Sequence, residues 1–307
     1  MKELVSSVST KLASTKLGNS LGVPNLVRSW RSQPIETTQL IYLVGLKRSG
    51  LHALSFWLLG HGDRNLLVNN SPVKRPGSSS PMSRTVRTSP LPVSVRQGDE
   101  VAVCQSGQEI LAPAPAAVDL SVVLFQSQSL PYLARQSLTA TGLTEGIHAQ
   151  TAQPVLTLRD PFNWAASYMK KSQSADDYRV WPTLWKEYAN EFVGKTQYFP
   201  GAVRVNYNRW FCDCSYRRHI STQLNLDFTD KTLEVVTAHA GGSSFDRTQF
   251  DANAQQMAVT ERWRRFEHKP QYIEAFRSHP DIVELALSIF DLPPDLAAFA
   301  RSCYASV

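Results

Sequence analysis

The chain has 307 residues, of which 42% are hydrophobic, so it is long and apolar enough to bury one substantial core. Its net charge of +6 arises in residues 1–38 and 71–100, each with five Lys or Arg against two acidic residues, so no nucleic-acid-binding stripe is expected on the folded body. Four scattered cysteines argue against a disulfide framework, and the lack of any run of about 18 apolar residues argues against a membrane span; together these favour a cytoplasmic protein.

Residues 1–38 are predicted to form a basic extension that precedes the fold. They are rich in Ser and Lys, poor in acidic residues, and lack the continuous apolar segment of a secretory signal. A solvated tail is the simplest interpretation. In a eukaryotic source, the same composition would also suit an organellar transit peptide.

Segments with strand-like apolar runs alternate with segments at helical spacing along the rest of the chain. Strands are predicted at 39–46, 65–69, 119–126, 154–159 and 202–207. Helices are predicted at 50–60, 129–137, 181–193, 216–226, 256–268 and 281–290, and another begins at Pro161 with Asp160 as its N-cap. Because strands joined through helices pair in parallel, residues 39–307 are expected to form one α/β domain with three α/β/α layers around a central, mostly parallel sheet.

Residues 71–100 interrupt this pattern. Five prolines and seven serines in the segment leave little apolar surface to offset the entropy of ordering it. A flexible insertion is predicted, which either covers a substrate pocket or is an inert surface loop.

A strand, a glycine turn and a helix meet at residues 45–52, whose sequence is GLKRSGLH. This arrangement directs several backbone N–H groups and a helix N-terminus at one anion. The spacing from Gly45 to Gly50 is that of the phosphate loop G-x-x-x-x-G-K-[ST], but Leu51 and His52 replace its Lys and its Ser or Thr. The loop is therefore predicted to bind a phosphate group but not a magnesium-bound triphosphate.

A second cation ends another predicted strand. Arg159 stands at a carboxyl end, where open α/β sheets bind ligands, and Ser167 follows eight residues later. Helical side chains lean toward the helix N-terminus, so Ser167 is predicted to point back to the same space as Arg159. Asn163 lies one turn earlier on the same face. Such a pair would suit a second phosphate group. Alternatively, Arg159 is a surface cation and Ser167 a packed small residue.

These two motifs, in this order, resemble those of the sulfotransferases that use 3′-phosphoadenosine-5′-phosphosulfate (PAPS). The family's 5′-phosphosulfate loop reads roughly K/R-S-G-x-x, which corresponds to residues 48–52 here. Its 3′-phosphate site pairs an Arg and a Ser eight residues apart, as Arg159 and Ser167 are here. The segment GGSSFDR at 241–247 stands where the family has a loop that closes over the nucleotide. The resemblance implies a fold of the P-loop-containing nucleotide-binding type.

The resemblance also implies a role for each matching residue. Arg48, or alternatively Lys47, would neutralise charge on the bridging oxygen as the sulfuryl group leaves, while Arg159 and Ser167 would hold the 3′-phosphate. The expected nucleotide-binding residues are Lys47, Arg48, Ser49, Gly50, Leu51, His52, Arg159, Ser167, Ser243, Ser244 and Arg247. PAPS would be the donor, adenosine 3′,5′-bisphosphate (PAP) the product, and no metal would be required.

The general base is the least defined part of this expectation. Many family members place a His or an acidic residue just after the middle strand, but this chain has Gln-Ser-Gln at 126–128. His52 is the nearest titratable alternative, and it would either take the proton of the acceptor or remain a neutral imidazole. The expected catalytic residues are Arg48, His52 and Lys47.

Two other functions remain compatible with the sequence. A phosphate-loop kinase for a small molecule needs the Lys and the hydroxyl that Leu51 and His52 replace. A non-catalytic nucleotide-binding scaffold would keep both phosphate sites without a base. The acceptor is expected to be a small molecule or a carbohydrate, bound by variable loops as acceptors are in such folds.

Overall fold

The computed structural model describes residues 35–70, 93–97, 100–103, 117–127, 129–135, 147–171, 175–236 and 242–304. The predicted basic extension thus lies outside the described residues, except for 35–38, which belong to the first strand. Residues 71–92 and 98–99 of the predicted insertion also lie outside them.

The strands of the described part form a single sheet. They are β1 (Ile35–Gly45), β2 (Arg64–Asn70), β3 (Val93–Gln97), β4 (Glu100–Val103), β5 (Ala117–Gln126), β6 (Ile147–Leu158) and β7 (Val203–Asn206). Their order is β4-β3-β2-β5-β1-β6-β7. The five neighbouring strands β2, β5, β1, β6 and β7 pair in parallel, while β3 runs antiparallel to both β2 and β4. The prediction of a mostly parallel α/β sheet is therefore confirmed.

The α-helices of the described part follow β1, β5, β6 and β7 and then form a carboxyl-terminal group. They are α1 (Leu51–Leu59), α2 (Leu130–Arg135), α3 (Pro161–Met169), α4 (Ala175–Phe192), α5 (Tyr207–Cys212), α6 (Cys214–Gln223), α7 (Pro270–Arg277), α8 (Pro280–Ile289) and α9 (Pro294–Tyr304). Two short 3₁₀ helices, Ala254–Gln256 and Arg262–Arg265, precede α7.

The alternation of side chains along β1 separates two hydrophobic cores. Tyr42 and Val44 face a core shared with α2, α3, α4 and α7 to α9. Ile41 and Leu43 face a second core shared with α1, α5 and α6. Because the second half of β1, from Leu40 to Val44, is covered on both faces, its sequence is continuously apolar rather than alternating. This arrangement is compatible with three α/β/α layers.

The loops that follow β1 and β6 lie next to each other at the carboxyl edge of the sheet. Gly45, the last residue of β1, pairs with Thr157 near the end of β6. The chain leaves β1 toward β2 on one side of the sheet and leaves β6 toward β7 on the other. Such a reversal opens a crevice at the carboxyl ends of the strands, where open α/β sheets bind ligands.

Several predicted boundaries were wrong, and three of the differences have identifiable reasons. Strand β6 begins at Ile147 rather than 154, because its polar first half pairs with β1 along an exposed edge of the core. Strand β3 lies inside the predicted insertion, where the alternating VSVRQ pairs with β2. The helix predicted at 256–268 is replaced by turns and the 3₁₀ helix Arg262–Arg265, whose backbone is held by tertiary contacts.

None of the helices in the described ranges combines the length and the apolar character that crossing a membrane requires.

Candidate anion-binding site

The turn between β1 and α1 requires two left-handed residues. Arg48 has φ 70° and Gly50 has φ 86°, a region that glycine enters without strain and an L side chain enters at a cost of roughly 1–2 kcal/mol. A Cβ atom at Gly50 would also lie 1.9 Å from Cε2 of Tyr207. The second glycine is therefore fixed both by its backbone angle and by the ring packed against it.

Successive carbonyls of this turn are held by donors from the protein interior. The Lys47 carbonyl accepts from Trp164 Nε1 at 2.7 Å, and the Arg48 carbonyl accepts from Arg159 Nη1 at 3.2 Å. On the preceding residues, the Gly45 carbonyl accepts from the amide of Ser127, and the Leu46 carbonyl from the amide and hydroxyl of Ser49.

The amides of the turn differ from its carbonyls in what they contact. Within the described part of the chain, the N–H groups of Arg48, Gly50 and Leu51 have no acceptor, while that of Lys47 donates to Ser127 Oγ at 2.8 Å. The peptide group between Lys47 and Arg48 is planar and trans, so its N–H points opposite to a carbonyl that is directed inward. The turn can therefore present N–H groups to an anion.

Two buried arginines converge on one hydroxyl beside this turn. Arg159 is 2% exposed and Arg262 is 8% exposed. The Ser167 hydroxyl accepts from Arg159 Nη1 at 3.3 Å and from Arg262 Nη1 at 3.1 Å, and it donates to the Asn163 carbonyl at 2.9 Å. Since a hydroxyl has one donor and two acceptor sites, these three bonds use all of its capacity. Ser167 thus aligns the two guanidinium groups.

Little negative charge compensates this pair of cations. Among the described residues, Arg159 has no carboxylate within ion-pair distance, and Arg262 lies 3.6 Å from Asp246. Asp160 adjoins Arg159 in sequence, but its carboxylate accepts from the amide of Asn163 and from Asn208 Nδ2. Buried charge without a counterion is costly, so the pair is chemically suited to an anion.

The pKa values of both arginines reflect this environment. Burial, reinforced by the neighbouring Arg159, lowers the pKa of Arg262 to about 10. Burial also lowers the pKa of Arg159, opposed in part by Tyr207 and Asp160. In addition, Arg262 Nε is buried without a hydrogen-bond partner in the described part of the chain. These groups would gain most from a multiply charged oxyanion.

Tyr207 forms a wall between the turn and the arginines. It follows β7 directly, is 4% exposed, and packs its ring against Gly50. The Arg159 guanidinium carbon lies 5.5 Å from the ring centroid, within the range of a cation–π interaction. Burial raises the pKa of the Tyr207 hydroxyl, so this group is uncharged near neutral pH.

Strand–helix junctions account for these positions. Asp160 caps α3 and Pro161 occupies the first helical position, as predicted, so Ser167 lies two turns along on the side of Arg159. Trp185 Nε1 on α4 fixes the Arg159 carbonyl at 3.0 Å. The prediction that Ser167 points back to Arg159 is confirmed.

Arg262 was not predicted as a site residue. It reaches Ser167 from a 3₁₀ helix that lies 95 residues farther along the chain. In the sequence RWRR, no spacing distinguishes it from the two other arginines, Arg264 and Arg265. The segment is held on α3 by the buried Trp263, whose amide donates to Asn163 Oδ1, and by the Thr260 carbonyl, which accepts from Asn163 Nδ2.

The residues predicted as site residues in the segment at 242–247 do not all contact the arginine pair. Ser243 Oγ accepts from Arg262 Nη2 at 2.8 Å, so this serine joins the cluster, and Ser244 is buried nearby. Arg247 is exposed; its backbone pairs with Ser243, and no described contact joins its side chain to Arg159 or Ser167. The structure thus brings Arg262, rather than Arg247, to the cluster.

The predicted catalytic residues lie on the turn and the start of α1. Lys47 is exposed, Arg48 is half-buried and His52 is partly exposed in the first helical turn. Burial lowers the pKa of Arg48, and burial together with the charge of Arg48 lowers that of Lys47. Ser127, in the segment where a base was sought, instead supports the turn by accepting from the Lys47 amide.

A scan of the chain against protein-family models finds no match, and neither does a search of curated proteins. The chemistry of the site therefore has to be inferred from its own residues.

Proposed function

We propose that the protein is a sulfotransferase that moves a sulfuryl group from PAPS to a hydroxyl or amine of a small-molecule or carbohydrate acceptor. The observation that carries this proposal is the pair of buried guanidiniums aligned by Ser167, one of which also holds the Arg48 carbonyl of the anion-binding turn. PAPS carries two anionic groups, a 3′-phosphate and a 5′-phosphosulfate. Two adjacent anion sites match that pattern.

The order of the parallel strands supports a nucleotide-binding fold of the P-loop-containing type. The first strand lies in the centre of the sheet and its carboxyl end leads into the glycine turn. The second anion site comes from the neighbouring strand β6. A ligand spanning both would lie across the crevice at the reversal of strand order.

The site favours a phosphosulfate over a magnesium-bound triphosphate. In triphosphatases a Lys follows the second glycine of the loop, whereas here Leu51 is 2% exposed and packs in the core beneath Gly45. No side chain at that position reaches the ligand. This packing disfavours the kinase alternative.

Different residues would bind the two anionic groups of PAPS. Arg159 and Arg262 would hold the 3′-phosphate, with Ser167 and Ser243 keeping the guanidiniums in position. The amides of Arg48, Gly50 and Leu51 would bind the 5′ group. Such preorganised donors are worth most in a water-poor site, where they need no reorganisation during the reaction.

Transfer requires charge neutralisation and removal of one proton. As the bond from sulfur to the bridging phosphate oxygen breaks, the acceptor oxygen or nitrogen bonds to sulfur, and negative charge grows on the bridging oxygen. Arg48, or Lys47 beside it, would neutralise that charge. His52, in the first turn of α1, is the candidate to take the proton of the acceptor.

A calorimetric titration with PAP tests the nucleotide assignment. Binding is expected in the wild-type protein and should be lost in Arg159→Ala. Arg204→Ala, which removes an exposed arginine of β7, serves as the matched control and should bind normally. Magnesium-dependent ATP binding that is tighter than PAP binding would reject the proposal in favour of a kinase.

A nucleotide-binding scaffold without catalysis is the second candidate. It is favoured by one observation: Ser127, at the position where a base is expected, is committed to the Lys47 amide. Incubation with labelled PAPS and a panel of hydroxyl and amine acceptors distinguishes the two. PAP binding without transfer to any acceptor would favour the scaffold.

A further inference from the structure

We propose that Trp164 is a positioning residue for the turn at 46–50: by holding the Lys47 carbonyl, it aims the Arg48 amide at the 5′ group of the nucleotide. Trp164 is fully buried on α3, and its Nε1 donates to that carbonyl at 2.7 Å. The inference rests on the proposed function in taking an adenosine nucleotide as the ligand.

The peptide group that joins Lys47 to Arg48 couples the orientation of a carbonyl to that of an amide. In a planar trans peptide the C=O and the following N–H point in opposite directions. A donor that fixes the Lys47 carbonyl on the α3 side therefore turns the Arg48 N–H away from α3. That N–H has no acceptor among the described residues, as expected for a group directed at a ligand.

The hydrogen bond from Trp164 to the Lys47 carbonyl stabilises a turn in which Arg48 has a left-handed conformation. A non-glycine residue at φ 70° is strained and would relax unless its neighbours held it. The Lys47 residue before it is held on both sides, through its carbonyl by Trp164 and through its amide by Ser127 Oγ. Together the two bonds fix the peptide that the strained residue depends on.

Trp164 also connects the two anion sites through one rigid helix. The same two turns of α3 carry Ser167, which aligns Arg159 and Arg262. Asp160 fixes the start of this helix by accepting from the Asn163 amide at 2.8 Å. The turn and the arginine pair are thus positioned relative to each other by one element.

The chain offers a matched control for Trp164. Trp181 on α4 is also fully buried, and its ring lies 5.7 Å from that of Trp164 in an edge-to-face contact. In contrast to Trp164, its Nε1 has no hydrogen-bond partner in the described part of the chain. Trp181→Phe therefore makes the same change in volume without removing a hydrogen bond.

The test compares two ligands and both variants by calorimetry. Trp164→Phe should weaken binding of PAP by about three- to tenfold, the usual worth of one hydrogen bond, and leave binding of adenosine 3′-monophosphate unchanged. Trp181→Phe should leave both affinities unchanged. Equal weakening of both ligands in Trp164→Phe, or equal effects in the two variants, would overturn the proposal.

Two further measurements keep the outcome decisive. Ser127→Ala releases the Lys47 amide and should cause the same selective loss of affinity for PAP, even if Trp164→Phe does not fold. A loss of affinity shared by both ligands would count against the proposal.

If the wild-type protein binds neither nucleotide, the proposed function fails. In that case amide hydrogen exchange at residues 46–50 tests the role of Trp164. Exchange should be faster in Trp164→Phe than in Trp181→Phe, and equal exchange rates would contradict the role.

Discussion

Arg159 and Arg262 donate to the same oxygen, the Ser167 hydroxyl, at 3.3 and 3.1 Å, although both side chains are buried and carry the same charge. A folded protein retains such a pair only where something offsets the repulsion and the lost hydration. An oxyanion that accepts from both guanidiniums would do so. The two residues reach this hydroxyl from different parts of the chain, Arg159 directly after β6 and Arg262 from a distant 3₁₀ helix.

Ser167→Ala should weaken PAP binding by roughly 10- to 100-fold, because hydrogen bonds to charged groups contribute about 1.5–3 kcal/mol. Ser221→Ala is the control, since Ser221 is equally buried and likewise bonds the carbonyl four residues earlier in its helix. Calorimetry measures both. Undiminished binding in Ser167→Ala would remove the shared hydroxyl from the site.

Gly50→Ala should destabilise the protein more than an ordinary glycine substitution. At Gly201 φ is 76° and nothing lies within 4 Å of an added Cβ, so Gly201→Ala isolates the backbone cost of roughly 1–2 kcal/mol. Gly50→Ala adds the collision with Tyr207. Urea unfolding compares their free energies, and equal losses would show that the ring simply moves aside.

PAP affinity should fall as the pH rises above about 10. The pKa of Arg262 is lowered to about 10 by burial and by Arg159, so in the ligand-free protein its charge is complete near neutral pH and is lost through that region. An anion binds the protonated form, so affinity is highest below the lowered pKa and declines above it. Calorimetry across this range should show the decline in the wild type, whereas Arg262→Gln should bind weakly and show a smaller decline, since the pKa of Lys47 is also lowered.

Arg48→Ala should lower kcat for sulfuryl transfer by roughly 10²–10³-fold, the usual effect of removing one donor to developing charge, with a smaller effect on PAP binding. Lys47→Ala tests the other candidate in the same assay. Lys231→Ala, an exposed lysine elsewhere, should have wild-type kcat. If neither Arg48→Ala nor Lys47→Ala slows transfer, the turn does not neutralise the leaving group.

His52→Asn should lower kcat by about 10²–10⁴-fold if His52 takes the proton of the acceptor, and should leave PAP affinity intact. The acidic limb of the pH–rate profile should disappear in this variant. Steady-state kinetics with a fixed acceptor measures both effects. An unchanged profile would assign His52 to packing against the turn.

Local patterns predicted the elements that the local sequence controls. The cap at Asp160, the following Pro161 and the apolar run of β1 all form where expected, because capping and burial on both faces act over a few residues. Strands β3 and the first half of β6 were missed, since polar segments become strands there only by pairing with a neighbour.

The sequence by itself determined the turn at 45–50 and the pairing of Arg159 with Ser167, because a glycine spacing and a helical repeat fix geometry over a few residues. Only the tertiary structure decided that Arg262 rather than Arg247 joins Ser167, and that Trp164 holds the Lys47 carbonyl. Those contacts join residues 95 and 117 positions apart, and no local pattern specifies which distant side chain fills a buried position. Both contacts depend on how α3 packs against the 3₁₀ helix Arg262–Arg265 and against the turn at 45–50, at the carboxyl edge of the sheet.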